Sequence, residues 1–259
     1  MRERCASGGT EPFIDRTRPV VKICGLTRLE DVRAARALGV WALGFVFAPS
    51  SRRVTPKRAQ ELVEKAGLGR GKETGWAGSG GSGSPSGYRD DPPQPLSVGV
   101  FADLEAEEIA EVVRQVGLDG VQLHGSGGAT GDEVRAALAN EGRRTLVIRA
   151  VPVDSQATDS GEFLEVTLRA CGEADVVLLD TRVRGRTPGA ASKPQSLGAP
   201  ESARFGGTGE MFPWRLAREV GDDKPFLVAG GIDPSNARTA LAESGAWGID
   251  VSSGVESSP

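Results

Sequence analysis

The chain has 259 residues, 38% of them apolar and 25% charged, with a formal net charge of −4. That length suits one large α/β domain or two small ones with a sizeable core. The lack of any basic run or basic amphipathic stretch argues against a nucleic-acid or membrane-surface role. No apolar run reaches the roughly 18 residues of a spanning helix. Residues 1–19 lack an apolar signal core and read as a flexible leader. Cys5, Cys24 and Cys171 are far apart and not in metal-ligand spacing, which fits a reduced, cytoplasmic compartment.

Along the chain, short β-prone runs alternate with helix-period runs. The first strand, Val20–Cys24, leads through Gly25 into "LEDVRAARALG", with Leu29, Val32, Ala35 and Leu38 at helical spacing. A second strand over Trp41–Phe47 precedes "PKRAQELVEKAG", and strands over Ser97–Phe101 and Gly120–His124 flank "LEAEEIAEVVRQVG". That helix opens acidic and stops at glycine, as the helix dipole and the left-handed stop favour. Further strands follow over Thr145–Ala150, Asp175–Asp180, Phe226–Ala229 and Gly248–Ser252, interleaved with "GDEVRAALAN", "GEFLEVTLRA", "WRLAREVG" and "DPSNARTALAESG". Eight strands separated by helices are the grammar of parallel βα units, and continuously apolar strands such as Val176–Leu179 suit a sheet buried on both faces. The prediction is a single (β/α)8 barrel over residues 20–259; a doubly wound open sheet is the main rival.

Two Gly/Ser/Pro-rich insertions, about 67–95 and 182–204, interrupt this rhythm. The first falls on the helix-to-strand side, the stability face of a barrel, and is expected to take no part in chemistry. The second falls on the strand-to-helix side, where a barrel keeps its active site, and fits either a lid or an excursion into solvent.

In such a barrel the C-terminal strand ends converge on one mouth. In order these ends are Cys24, Phe47–Arg53, Phe101, His124, Arg149, Asp180, Gly230–Gly231 and Ser252–Gly254. Each has a bland alternative. Cys24 could be a small buried filler, and Asp180 a capping carboxylate. His124, the sole histidine, could be a satisfied structural imidazole, and Arg52 and Arg53 a solvated loop pair or a hold on an anionic substrate. "AGGIDPSNA" and "DVSSGVE" are glycine/serine turns after strands seven and eight, where this fold often binds phosphate through backbone N–H groups. "FGGTGEMF" is a third such turn; it lacks the lysine of a Walker loop.

Taken together, "VKICGLTRLED", "GFVFAPSSRRVTP", "VGVF", "DGVQLHG", "LLDT", "FGGTGEMFPW", "LVAGGIDPSNA" and "GIDVSSGVE", in this order from residue 20 to 256, resemble the phosphoribosylanthranilate isomerases of tryptophan biosynthesis. The resemblance implies a cofactor-free Amadori rearrangement of N-(5-phosphoribosyl)anthranilate, with no metal, in which Cys24 is the general base and Asp180 the general acid. It assigns substrate contacts to Arg53 near the anthranilate end, and to His124, Gly207, Gly230, Gly231, Ser252 and Ser253. It implies a small phosphosugar substrate, no nucleic-acid or membrane partner, and either a homodimer or a fusion to another tryptophan-pathway enzyme. Lys22, two residues before Cys24 on one strand face, is placed to favour the thiolate. Glu210 and Pro213 stand where the family usually has lysine and aspartate, which bears on the loop after strand six. The family continues past "GVE" into an eighth helix, so within this sequence the barrel is expected to lack its last helix. Rival readings are a related indole-glycerol-phosphate synthase, a histidine-pathway isomerase and a non-catalytic phosphosugar-binding barrel. The synthase needs strand-end lysines, of which Lys22 is the sole candidate. The histidine-pathway enzyme needs paired aspartates, and Cys24 stands where the first would be.

Overall fold

Strands apolar on both faces must be covered twice, by one another inside and by helices outside. In the computed structural model, which describes residues 18–69, 94–142, 144–159, 161–182, 211–220 and 224–257, eight parallel strands meet this demand by closing into a barrel in sequence order. They are β1 (Val20–Cys24), β2 (Ala42–Val46), β3 (Leu96–Ala102), β4 (Gly120–His124), β5 (Leu146–Asp154), β6 (Val176–Arg182), β7 (Phe226–Ala229) and β8 (Gly248–Val251). β8 closes onto β1 with Lys22 opposite Asp250 and Ile23 opposite Val251. The helices are α1 (Leu29–Ala37), α2 (Pro56–Lys65), α3 (Ala106–Val116), α4 (Gly131–Ala137), α5 (Gly161–Glu173) and α6 (Ala237–Ser244). Among the described residues no helix is long and apolar enough to cross a membrane.

Alternation along the strands separates two kinds of core. Inward residues such as Val98, Ile148, Val176 and Leu227 fill the barrel, while Leu43, Phe45, Val121 and Val147 look outward onto the helices. Local signals set the helix starts. Thr55 Oγ1 accepts the N–H of Arg58, with Pro56 in the first turn. Thr130 and Glu133 form a reciprocal capping box ahead of α4.

The end where the strands begin is stapled by two buried aspartates. Asp119, just before β4, accepts Ser97 N at 2.9 Å and Ser97 Oγ at 2.7 Å. Asp175, just before β6 and only 1% exposed, accepts Val147 N at 2.8 Å and pairs with Arg135 and Arg144. Each joins the start of one strand to its neighbour, so a backbone N–H is satisfied where the ladder has not yet begun.

Several expected boundaries move. β5 and β6 run past Ala150 and Asp180 because their ladder continues through Pro152–Asp180 to Asp154–Arg182. Arg149 is therefore mid-strand, bonded to Gly125 O and paired with Glu173. The expected α-helix over "WRLAREVG" is a 3₁₀ helix, Trp214–Val220. Its buried Trp214, Ala217 and Val220 recur every third residue and stack on one edge at three residues per turn. α6 starts at Ala237 rather than near Pro234, because Asp233 Oδ1 accepts from Ser235 and Asn236 in a turn that leads into the helix. Of the two insertions only 67–69, 94–95 and Arg182 are described, so the lid reading, Gly207, Glu210 and the bulk of the leader lie outside the described residues.

Candidate active site

β1, β6 and β8 each end with polar side chains turned into the barrel, above the apolar filling. These residues line a cleft that opens to solvent at the mouth of the barrel. Cys24, His124 and Asp180 come together there from β1, β4 and β6. Gly230 and Gly231 line the cavity from the turn after β7, and Ser252 and Ser253 from the turn after β8. Gly230 has φ 89°, and a Cβ there would strike the Thr181 side chain, so only glycine admits this turn so close to β6. Arg53, expected at the site, is exposed and is not among the lining residues; its backbone bridges to Val46 at the end of β2. Its neighbour Arg52 lines the cavity instead. Arg52 grips Glu256 through two bonds, Nε to Oε1 at 2.6 Å and a terminal nitrogen to Oε2 at 2.7 Å. This planar fork ties the β2 loop to the segment after β8.

The electrostatics set Asp180 and Cys24 apart. Burial is the largest influence on Asp180, seconded by the charge of Asp250, and lifts its carboxyl to about 7. At neutral pH Asp180 can hold a proton and give it up. Burial also dominates at Cys24 and lifts its thiol to about 11, although Lys22 pulls it down. Burial, then the charges of Lys22 and Arg149, hold His124 near 3, a neutral imidazole. Its Nε2 lies 2.7 Å from Gln122 Nε2. The two side chains are therefore within hydrogen-bond reach of each other inside the barrel. Gln122 Oε1 has no hydrogen-bond partner among the described residues although it is buried at the cavity wall.

Gln122, Asp250 and Glu256 carried no expectation of a role. Strand parity points to the first two: Gln122 is two residues before His124, and Asp250 two before Ser252, so each shares an inward face with a residue at the mouth. Among the described residues, no group of three or more His, Cys, Asp or Glu side chains is disposed to hold a metal ion.

The family model for N-(5'-phosphoribosyl)anthranilate (PRA) isomerase matches residues 88–258. The chain belongs to the N-(5'-phosphoribosyl)anthranilate isomerase family. It is 34% identical over 241 residues to the N-(5'-phosphoribosyl)anthranilate isomerase of Acetivibrio thermocellus, covering 91% of this chain and 87% of that relative. The crystal structure of phosphoribosyl anthranilate isomerase from Thermus thermophilus superposes with a TM-score of 0.61 at 30% identity, covering 93% of this chain and 90% of that one. A phosphoribosyl anthranilate isomerase in complex with reduced 1-(o-carboxyphenylamino)-1-deoxyribulose 5-phosphate is similar too, with a TM-score of 0.59 and 28% identity, at 93% and 90% coverage.

Proposed function

We propose that this chain catalyses the Amadori rearrangement of N-(5-phosphoribosyl)anthranilate to 1-(2-carboxyphenylamino)-1-deoxyribulose 5-phosphate, a step of tryptophan biosynthesis. The observation that carries this reading is the pairing, in one cavity, of a carboxyl lifted to about 7 with a thiol on another strand, beside two glycine-rich turns. Asp180, protonated, gives its proton to the ribose ring oxygen; the C1–O bond breaks and the anthranilate nitrogen becomes a cationic Schiff base. Cys24 takes the proton from C2, and the electron pair moves onto C1–C2 to neutralise the nitrogen. The resulting enolamine tautomerises to the ketose. Acid and base act at two positions on one substrate, which is why two groups are needed. Gly230, Gly231, Ser252 and Ser253 would cradle the phosphate, and Arg53, on the exposed loop after β2 beside the cavity-lining Arg52, would have to turn inward to meet the anthranilate carboxylate. His124, being neutral, would contribute a hydrogen bond rather than a charge.

The competing barrels fit this site less well. A synthase would need a free strand-end lysine, whereas Lys22 is fully buried and paired with Asp250 at 2.8 Å. The test follows the change in anthranilate fluorescence as phosphoribosylanthranilate, generated in situ, is consumed. Turnover that vanishes in Cys24→Ser and Asp180→Asn supports the roles. A folded wild-type chain with no turnover would overturn the reading.

A further inference from the structure

The widest gap in this mechanism lies between the acid and the base. With Asp180 near 7 and Cys24 near 11, the state with a protonated acid and an ionised base is a minor species of the free protein. Lys22 already lowers the thiol within that value, so without it the thiolate would be scarcer still.

We propose that the Lys22–Asp250 ion pair is a positioning element of the catalytic pair, with Lys22 holding a cation against the Cys24 sulfur and Asp250 anchoring that cation within the barrel. This proposal rests on the isomerase reading above. The geometry is explicit. Lys22 is 0% exposed, its Nζ lies 2.8 Å from Asp250 Oδ1, and the two residues stand directly opposite across the β1–β8 seam. Gly44, opposite Cys24 on β2, opens the room for this arrangement. A Cβ at Gly44 would lie 2.8 Å from Cys24 Sγ and 3.2 Å from Lys22 Nζ, so the ammonium and the sulfur share one pocket floor. A lysine side chain buried this deep, inside the barrel and beside the reacting thiol, is out of place as mere filling. Well-packed apolar residues often match or exceed the stability of a buried ion pair.

The pair acts on both partners in known directions. Burial draws the Lys22 ammonium down, yet Asp250 and Cys24 outweigh it and hold Lys22 charged. Lys22 draws down both Cys24 and Asp180, while Asp250 pushes both up. Burial pushes Asp250 up while Lys22 pulls it down, and the short contact is that of ammonium with carboxylate. The other charged or titratable groups facing this cluster are His124 from β4 with Arg149 behind it on β5, and the Arg52–Glu256 pair at the rim.

The test measures the alkylation rate of Cys24 by iodoacetamide at fixed pH, read on the Cys24 peptide by mass spectrometry, which needs no turnover. Lys22→Met is expected to alkylate about tenfold or more slowly, one pKa unit being tenfold in thiolate below the pKa. Its lower limb in kcat/KM against pH, set by Asp180, should move upward. Lys22→Met leaves Asp250 buried without a partner and is expected to lose stability. The double variant Lys22→Met/Asp250→Leu restores an apolar pair, should regain melting temperature, and should still alkylate more slowly than the wild type. If Lys22→Met does not fold, the double variant carries the comparison. Wild-type alkylation in both variants overturns the proposal and leaves only a structural pair. Slowed alkylation in a protein that never turns over phosphoribosylanthranilate would keep the pair's effect on the thiol and sink the reaction instead.

Discussion

The two ends of the barrel handle buried charge in opposite ways. Where the strands begin, Asp119 and Asp175 each accept a backbone N–H of the neighbouring strand, and Asp175 has two arginines besides. Where they end, Asp180 is held near 7 and Cys24 near 11, with Asp250 close by and Gln122 Oε1 unsatisfied among the described residues. One end spends its carboxylates on hydrogen bonds that fasten strands together. The other buries Asp180 beside a like charge, which keeps its proton exchangeable near neutral pH. The same fold thus separates stability from chemistry along its axis.

Breaking the mouth should give the largest effect. Cys24→Ser and Asp180→Asn are expected to lower turnover by about 10²- to 10⁴-fold, the usual contribution of a general acid or base, without lowering the melting temperature. The opposite outcome belongs to the other end. Asp175→Ala strands the Val147 N–H and removes the partner of two arginines, and chemical denaturation should show a loss of about 1–3 kcal/mol with kcat unchanged. A large kcat loss in Asp175→Ala would show that the ends are not independent. Gly44→Ala lies between these cases. Its Cβ displaces Cys24 Sγ and Lys22 Nζ, and turnover should fall by about tenfold to a hundredfold with little change in KM.

The smallest expected effects are in pH dependence. The folded Asp180 keeps a proton that the unfolded chain releases near pH 3.9. That proton's contribution to stability is full below about pH 4 and is lost as pH rises through about 7. Asp180→Asn, neutral throughout, should therefore gain melting temperature over the wild type between pH 4 and pH 8, and a constant difference would contradict the raised carboxyl. With Asp180 as the proposed acid titrating below Cys24 as the proposed base, kcat/KM should rise to about pH 7 and then stay level toward pH 11, rather than fall above 7.

Much of this was legible in the residues. β1, β4 and β7 lie where their apolar runs stand, because a strand's composition is local information. The 3₁₀ form of Trp214–Val220 was hidden, since a three-residue stripe is readable as a blurred helical one until its neighbours are known. The mouth residues could be named from strand ends alone, but the choice between Arg52 and Arg53 depends on which one the β2 loop turns inward. The aspartate staples at Asp119 and Asp175 were invisible for another reason. They serve strands two elements or more away in the chain, and no short-range pattern records such pairing. Asp250 falls between these cases: parity places it inward, but its partner Lys22 is 228 residues away.

That separation bears on the order in which the protein assembles. The Lys22–Asp250 and Arg52–Glu256 contacts span 228 and 204 residues, and both cross the place where the last strand meets the first. Closing so long a loop is slow and entropically unfavourable, so these contacts are expected to form only when the rest of the cylinder is in place. A nascent chain still lacking β8 carries its thiol and its lysine but not the carboxylate that anchors them. On the acid–base roles proposed above, chemical competence would arrive only with closure, at the final act of the protein's own folding.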